Sequence, residues 1–185
     1  MSSQLHKSTA QIEEEASLIQ IAQKNPQGFE PLYNEYFEQV FRFVYQRVES
    51  KDEAGDITSQ VFLKALLNIG KYKFRSLPFS AWLYRIAINE LSNYYTNTKK
   101  SRADNLQSAQ IGIFFEEGTE EYKEDRIEEI LRALKFLEPE DLLLIEMRFF
   151  EDKAFKEIAD ILGITENNAK VKLYRVLDKL KQKIF

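Results

Sequence analysis

The chain has no cysteine, a single histidine, one tryptophan and no long apolar run in its 185 residues. Without thiols it can form neither a disulfide framework nor a thiolate metal site, and the reducing cytoplasm is the expected setting. His6 lies in the polar start MSSQLHKSTAQ, read as a flexible tail over residues 1–12, where a lone imidazole is simply solvated. No stretch approaches the roughly 20 apolar residues of a membrane span, so neither export nor membrane insertion is expected. A glycine-rich phosphate loop is missing too. With neither a thiol nor a core histidine beside its carboxylates, the chain offers no catalytic constellation, and no catalytic residue, metal or cofactor is expected.

The hydrophobic fraction is 44%, enough for real cores, and the net charge is −4 with a pI near 5.3. That balance argues against a protein that coats nucleic acid by charge alone. Distribution matters more than the total. Between Ser101 and Glu129 nine acids face three bases, a net of −6, while from Lys170 onward six bases face only Asp178. A locally basic segment therefore sits on an acidic chain.

Apolar residues recur at threes and fours, with no strand alternation and no repeat of fixed length, so the expected class is all-α, in two small helical domains joined by a flexible acidic linker. The first domain is read over residues 13–100. Leu18, Ile21 and Ala22 give a short amphipathic turn, Asn25 to Gly28 break it, and Phe29, Leu32, Tyr33, Tyr36, Phe37, Val40, Phe41, Val44 and Val48 form the next stripe, ending near Ser50. Ile57, Val61, Phe62, Ala65, Leu66 and Ile69 line a second helix, with Gly70 as its stop. The basic, aromatic loop KYKFRSLPF follows, and then FSAWLYRIAINELSNYY, with Phe79, Trp82, Leu83, Ile86, Ala87 and Leu91 on one face. The linker, residues 101–125, is polar and acidic and cannot bury enough surface to fold alone. Its patch IGIFF, Ile111 to Phe115, leaves two readings open: docking on a partner, or tucking against one of the domains.

The C-terminal domain, residues 126–185, has the outline of a helix-turn-helix. Ile158, Ala159 and Leu162 form one stripe, and Gly163 stands where a left-handed helix end is wanted. Thr165 is placed to cap the next helix, whose stripe is Ala169, Leu173, Val176, Leu177 and Leu180. Its other face carries Asn167, Val171, Tyr174 and Arg175, flanked by Asn168, Lys170 and Lys172. Amides and cations at the start of a second helix are what reading base edges and gripping phosphates require.

Taken in order, AQKNPQGFEPLYNEYF, AGDITSQVFLKAL, FSAWLYRIAINELSNYY, the acidic linker, LKFLEPEDLLLIEMRFFEDKAFKEIADILGI and NNAKVKLYRVLDKL resemble a bacterial extracytoplasmic-function (ECF) sigma factor over nearly the whole chain. A helix-turn-helix alone is shared by many regulators; the WLYRIA stretch ahead of it is far more specific. The resemblance implies a cytoplasmic, non-catalytic initiation factor that binds core RNA polymerase and directs it to promoter DNA. It implies that the DITSQVF helix docks on the polymerase clamp helices through Asp56, Gln60, Phe62 and Leu63, although Ser59 and Gln60 stand where the family commonly has glutamine then glutamate. Phe62 has a second reading, as a purely internal core residue.

The loop and the WLYRIA helix correspond to the family's minus-ten region, implying contacts from Lys71, Tyr72, Lys73, Phe74, Arg75, Asn89, Asn93 and Tyr94. Strand opening needs aromatic faces for unstacked bases and cations for the displaced backbone. Trp82 falls on the apolar stripe and is read as core rather than as a stacking platform. Where many relatives follow with several arginines, this chain has TNTKK, which predicts a weak nonspecific grip. The last helix corresponds to the minus-thirty-five reader, implying roles for Asn168, Lys170, Val171, Lys172, Tyr174 and Arg175. Val171 and Lys172 replace the family's frequent serine and arginine, so its favoured promoter sequence does not carry over. Leu142, Leu143, Ile145, Met147, Phe149 and Phe150 are expected in the small domain's core and its seat on the polymerase flap. An anti-sigma protein clasping both domains is a further implied partner. The alternative is a stand-alone helix-turn-helix regulator, which leaves the WLYRIA module without a role and lacks a dimerisation helix.

Overall fold

The computed structural model describes residues 7–98, 132–134 and 136–184, and these contain helices and turns with no strand among them. The N-terminal domain comprises α1 (Thr9–Lys24), α2 (Glu30–Tyr45), α3 (Lys51–Asn68) and α4 (Phe79–Thr98). The C-terminal domain contains α5 (Pro139–Ile145), a π-helical turn (Glu146–Phe150), α6 (Phe155–Leu162) and α7 (Glu166–Ile184). The expected acidic linker and its IGIFF patch lie outside the described residues.

The expected tail is shorter than its sequence suggested. Ser8 caps α1 by a reciprocal pair with Gln11, so Thr9 to Ile12 are already helical. The inward face also differs from the expected stripe: Glu15, Ile19 and Ala22 are buried, whereas Ile21 is half exposed. Asn25 and Pro26 then turn the chain through a 3₁₀ turn at Pro26–Phe29. Gly28 is required there, because a Cβ would lie 2.6 Å from Ile21 Cγ2.

α2 and α3 pack together and are joined by a short connection, with Ser50 and Glu53 forming a capping box at the start of α3. α3 ends at Asn68, next to the expected stop at Gly70, and passes into a 3₁₀ turn at Ile69–Lys71. The core gathers Leu32, Val40, Phe43, Val61, Phe79, Leu83 and Ala87, all but removed from solvent. Phe43 and Tyr84, absent from the predicted stripes, meet edge to face at 4.6 Å and are fully buried.

In the C-terminal domain, Leu142 to Ile145, Met147, Ile158, Ile161, Ala169, Leu173 and Val176 form the core. Phe149 and Phe150 lie outside this core. The π-helical turn swings them outward, and they are 54% and 37% exposed. Gly163 adopts φ 68°, ψ 32°, the left-handed geometry that only glycine takes without penalty, and Thr165 Oγ1 accepts the Asn168 N–H at 3.2 Å. Thr165→Ala is expected to cost about 1 kcal/mol, seen as a lower thermal midpoint with unchanged far-UV circular dichroism at 20 °C.

Candidate nucleic-acid interface

Three surfaces hold the residues singled out from sequence. On α3, Asp56, Gln60 and Leu63 are solvent-exposed on one face at spacings of four and three, and Leu67, 71% exposed, continues the row. Phe62 does not join them. It is buried, packed edge-on against Phe29 and Tyr33 and beside Phe37, so its part is to fix α3 against α2. Tyr33 and Tyr45 extend this surface onto α2, where Phe37, Phe41 and Tyr45 stack successively at about 6 Å. The sequence showed these rings but assigned Tyr33, Phe37 and Phe41 to the core, because a stripe with aromatics at every third or fourth position cannot by itself say how far round the helix burial extends.

The second surface surrounds the loop between α3 and α4. Gln23 Nε2 donates to the carbonyls of Ile69 and Tyr72, pinning the loop's entry to α1. Tyr72 lies 4.7 Å from Trp82 and 5.4 Å from Phe79. Burial, and then the carboxylates of Glu15 and Asp160, push the Tyr72 hydroxyl up to about 12, so it is a neutral donor near pH 7. Two depressions meet at this aromatic pair. A pocket of about 160 Å³ is lined by Lys71, Lys73, Arg75 and Arg85, with Leu77, Pro78 and Trp82. A more open one, about 450 Å³, is lined by Lys64, Asn68, Lys71, Trp82, Ile86 and Asn89. Cations over flat aromatic walls provide what an unstacked base and its phosphate need.

Lys71, Tyr72, Lys73, Arg75 and Asn89 are thus brought together. Phe74 is exposed on the same loop, and Asn93 is exposed one turn beyond Asn89. Tyr94 is not part of this cluster, because its hydroxyl donates to Glu53 at 2.7 Å and holds α4 to the start of α3. Trp82 is half-buried and walls both pockets, so it belongs to the core and the surface together. Arg85 was missed by the sequence reading. It follows Trp82 by three residues, one helical turn, and that spacing was the available signal.

The third surface is α7. With Ala169, Leu173 and Val176 turned inward, Asn168, Val171, Lys172, Tyr174 and Arg175 are exposed, Tyr174 to 65%. Lys170 is drawn back: its Nζ lies 2.7 Å from Glu166 and over the Phe155 ring. Among the described residues no group of three or more His, Cys, Asp or Glu could hold a metal ion, and no helix is long and apolar enough to cross a membrane.

Comparison with known proteins places both domains. Residues 32–101 match Sigma-70 region 2, and residues 127–180 match Sigma-70, region 4. The chain is 28% identical over 185 residues to the ECF RNA polymerase sigma factor BldN of Streptomyces coelicolor, covering 95% of this chain and 69% of that one. It is 29% identical over 138 residues to the RNA polymerase sigma factor SigV of Bacillus subtilis, covering 74% and 79%. The solved structure of CnrH in complex with the cytosolic domain of CnrY shares the fold, with TM-score 0.61 at 18% identity, covering 89% of this chain and 93% of that one. Two regions of one family in the expected order, and relatives that match along most of the chain, leave one assignment: the chain belongs to the sigma-70 family as an ECF sigma factor, which binds core RNA polymerase and directs promoter-specific initiation.

Proposed function

We propose the residue-level division of labour that follows. The α3 face of Asp56, Gln60, Leu63 and Leu67 docks on the polymerase clamp helices, with Phe62 as its internal support. Phe149 and Phe150, presented by the π-helical turn, seat the small domain on the flap. The pockets around Tyr72 and Trp82 receive the opened minus-ten element, with Lys71, Lys73, Arg75 and Arg85 on its backbone and Asn89 on a base edge. On α7, Arg175, Tyr174 and Val171 meet the minus-thirty-five bases, while Asn168, Lys170 and Lys172 grip phosphates. Lys170 would have to leave Glu166 to do so, a surface pair worth little. The chain itself is non-catalytic; polymerase supplies the chemistry, and the setting is the cytoplasm.

The observation that carries this reading is the cation-lined pair of pockets meeting at Tyr72 and Trp82. Weak separate contacts become effective once both domains ride on one large body at promoter spacing. A protein antagonist is part of the proposal, supported by the shared fold with CnrH, solved in complex with the cytosolic domain of CnrY.

Run-off transcription with purified core polymerase and a promoter library tests the whole. Chain-dependent start sites are expected, and tight sequence-specific binding by the chain alone would instead favour a stand-alone regulator. Asp56→Ala is expected to weaken core binding about tenfold, for a contact worth near 1.4 kcal/mol, while the chain's melting curve stays put. Unchanged core affinity would remove Asp56 from the docking face.

A further inference from the structure

The two depressions that meet at Tyr72 and Trp82 differ in chemistry. Four cations, Lys71, Lys73, Arg75 and Arg85, line the smaller, which suits phosphate. The larger, about 450 Å³, is a groove between α3 and α4. Lys64, Asn68 and Lys71 recur along one side at spacings of four and three, and Trp82, Ile86 and Glu90 along the other at fours. Glu90 has no part in the division of labour proposed above. Its side chain is 13% exposed, whereas that of Lys64, whose Nζ lies 2.6 Å from Glu90 Oε1, is 45% exposed.

A carboxylate on the wall of a nucleic-acid groove repels the backbone phosphates, so its place is against a base edge, where it can only accept. Glu90 Oε2 has no hydrogen-bond partner among the described residues, so an accepting oxygen is available. Asn68 adds a second acceptor: its Nδ2 donates to the Lys64 carbonyl at 2.9 Å, which leaves the amide oxygen as the group free to bond. The Lys64 ammonium keeps N–H groups to spare beyond the one given to Glu90. The groove wall therefore offers, side by side, a shielded acceptor and a more exposed donor.

An unstacked base is read on its Watson–Crick edge. In adenine and cytosine that edge carries an amino donor beside a ring-nitrogen acceptor; in guanine and thymine it carries a carbonyl acceptor beside a ring N–H donor. The first order matches Glu90 followed by Lys64. The second sets a carbonyl oxygen against a shielded carboxylate, and two facing acceptors reject a ligand that is otherwise the right shape.

Resting on the reading of these pockets as the site of the opened minus-ten element, we propose that the Lys64–Glu90 pair selects one unstacked base of that element by class, accepting adenine or cytosine and refusing guanine or thymine. Glu90 accepts from the exocyclic amine, Lys64 donates to the neighbouring ring nitrogen, and Trp82 and Ile86 supply the apolar wall. As a mere tie between α3 and α4, such a surface pair is worth little and is indifferent to promoter sequence.

The test is run-off transcription by core polymerase loaded with this chain, on a library randomised across the minus-ten element, with the transcribed templates sequenced. For the wild-type chain, one minus-ten position is expected to favour adenine and cytosine together over guanine and thymine by about tenfold. Glu90→Gln, whose amide can donate as well as accept, is expected to bring that ratio down to about twofold or less. Preferences at the other promoter positions should persist in this variant, which shows that it is folded and bound to polymerase. The exchange Lys64→Glu/Glu90→Lys keeps the ion pair between the helices but reverses its order, and is expected to invert the preference toward guanine and thymine. A preference that survives Glu90→Gln, or that the exchange leaves as in the wild-type chain, overturns the proposal. Start sites with no amino-base preference at any minus-ten position sink this inference alone, whereas no chain-dependent start sites remove the minus-ten reading and the inference with it.

Discussion

Replacing Glu15 with alanine is expected to destabilise the N-terminal domain by about 3 kcal/mol, the largest stability loss of any single exchange of a charged residue in that domain. Its carboxylate is buried at the junction of three helices. One oxygen accepts the Tyr36 hydroxyl from α2 and lies 2.8 Å from Lys7 Nζ, and the other accepts the Phe79 N–H at 2.7 Å. That last bond satisfies a backbone donor at the first turn of α4 and places a negative charge at the positive end of the helix dipole. Burial beside Glu15 raises the Tyr36 pKa far above its ordinary value, so the phenol stays a donor at any working pH. Alanine leaves the phenol and the α4 N–H buried without an acceptor. Glu15→Gln keeps one acceptor oxygen and should recover about half the loss. For a domain of this size about 3 kcal/mol is roughly 15 °C in midpoint, read by calorimetry. A shift under a few degrees would show that the junction relaxes around the gap.

The second large effect falls on promoter choice. Arg175→Ala is expected to lower initiation at a cognate promoter by roughly 5- to 150-fold, the equivalent of about 1 to 3 kcal/mol for a two-bond guanidinium contact with a guanine edge. Arg175 is exposed on the free face of α7 and takes part in none of the ion pairs that hold the described domains together, so core binding and stability should not change. Arg175→Lys should recover little, since an ammonium cannot make the planar paired contact. Equal loss of core binding and promoter use would instead place Arg175 at the polymerase, and an effect identical at every promoter would make it a phosphate contact.

These two residues mark the limits of what was legible in the sequence. Arg175 could be found because α7 is amphipathic: once Ala169, Leu173 and Val176 are assigned inward at period 3.6, the opposite face follows by geometry. Gly163 and Thr165 were readable for a related reason, since a left-handed helix end and a first-turn acceptor are local demands with strong residue preferences. Glu15 could not be found. In EEEASLIQ it looks like a solvated acid, and only packing shows it pointing inward, because its partners are 21 and 64 residues away in the chain. Phe62 and Tyr94 were ambiguous in the same way. Period 3.6 places each on a side of its helix, but whether that side meets water, Glu53 or another ring depends on neighbours that the spacing does not name.

The sequence by itself determined the all-helical class, the order of two amphipathic domains around an acidic stretch, and the outward face of α7, because each rests on periodicity and on caps within about one turn. Tertiary structure alone decided that Tyr72, Trp82 and Arg85 wall shared pockets, that Phe149 and Phe150 turn outward, and that Arg47 and Glu146, far apart in the chain, share a buried seam. Those outcomes depend on which helix faces cross and on the desolvation of charges at the crossing, and neither quantity is carried by any one segment.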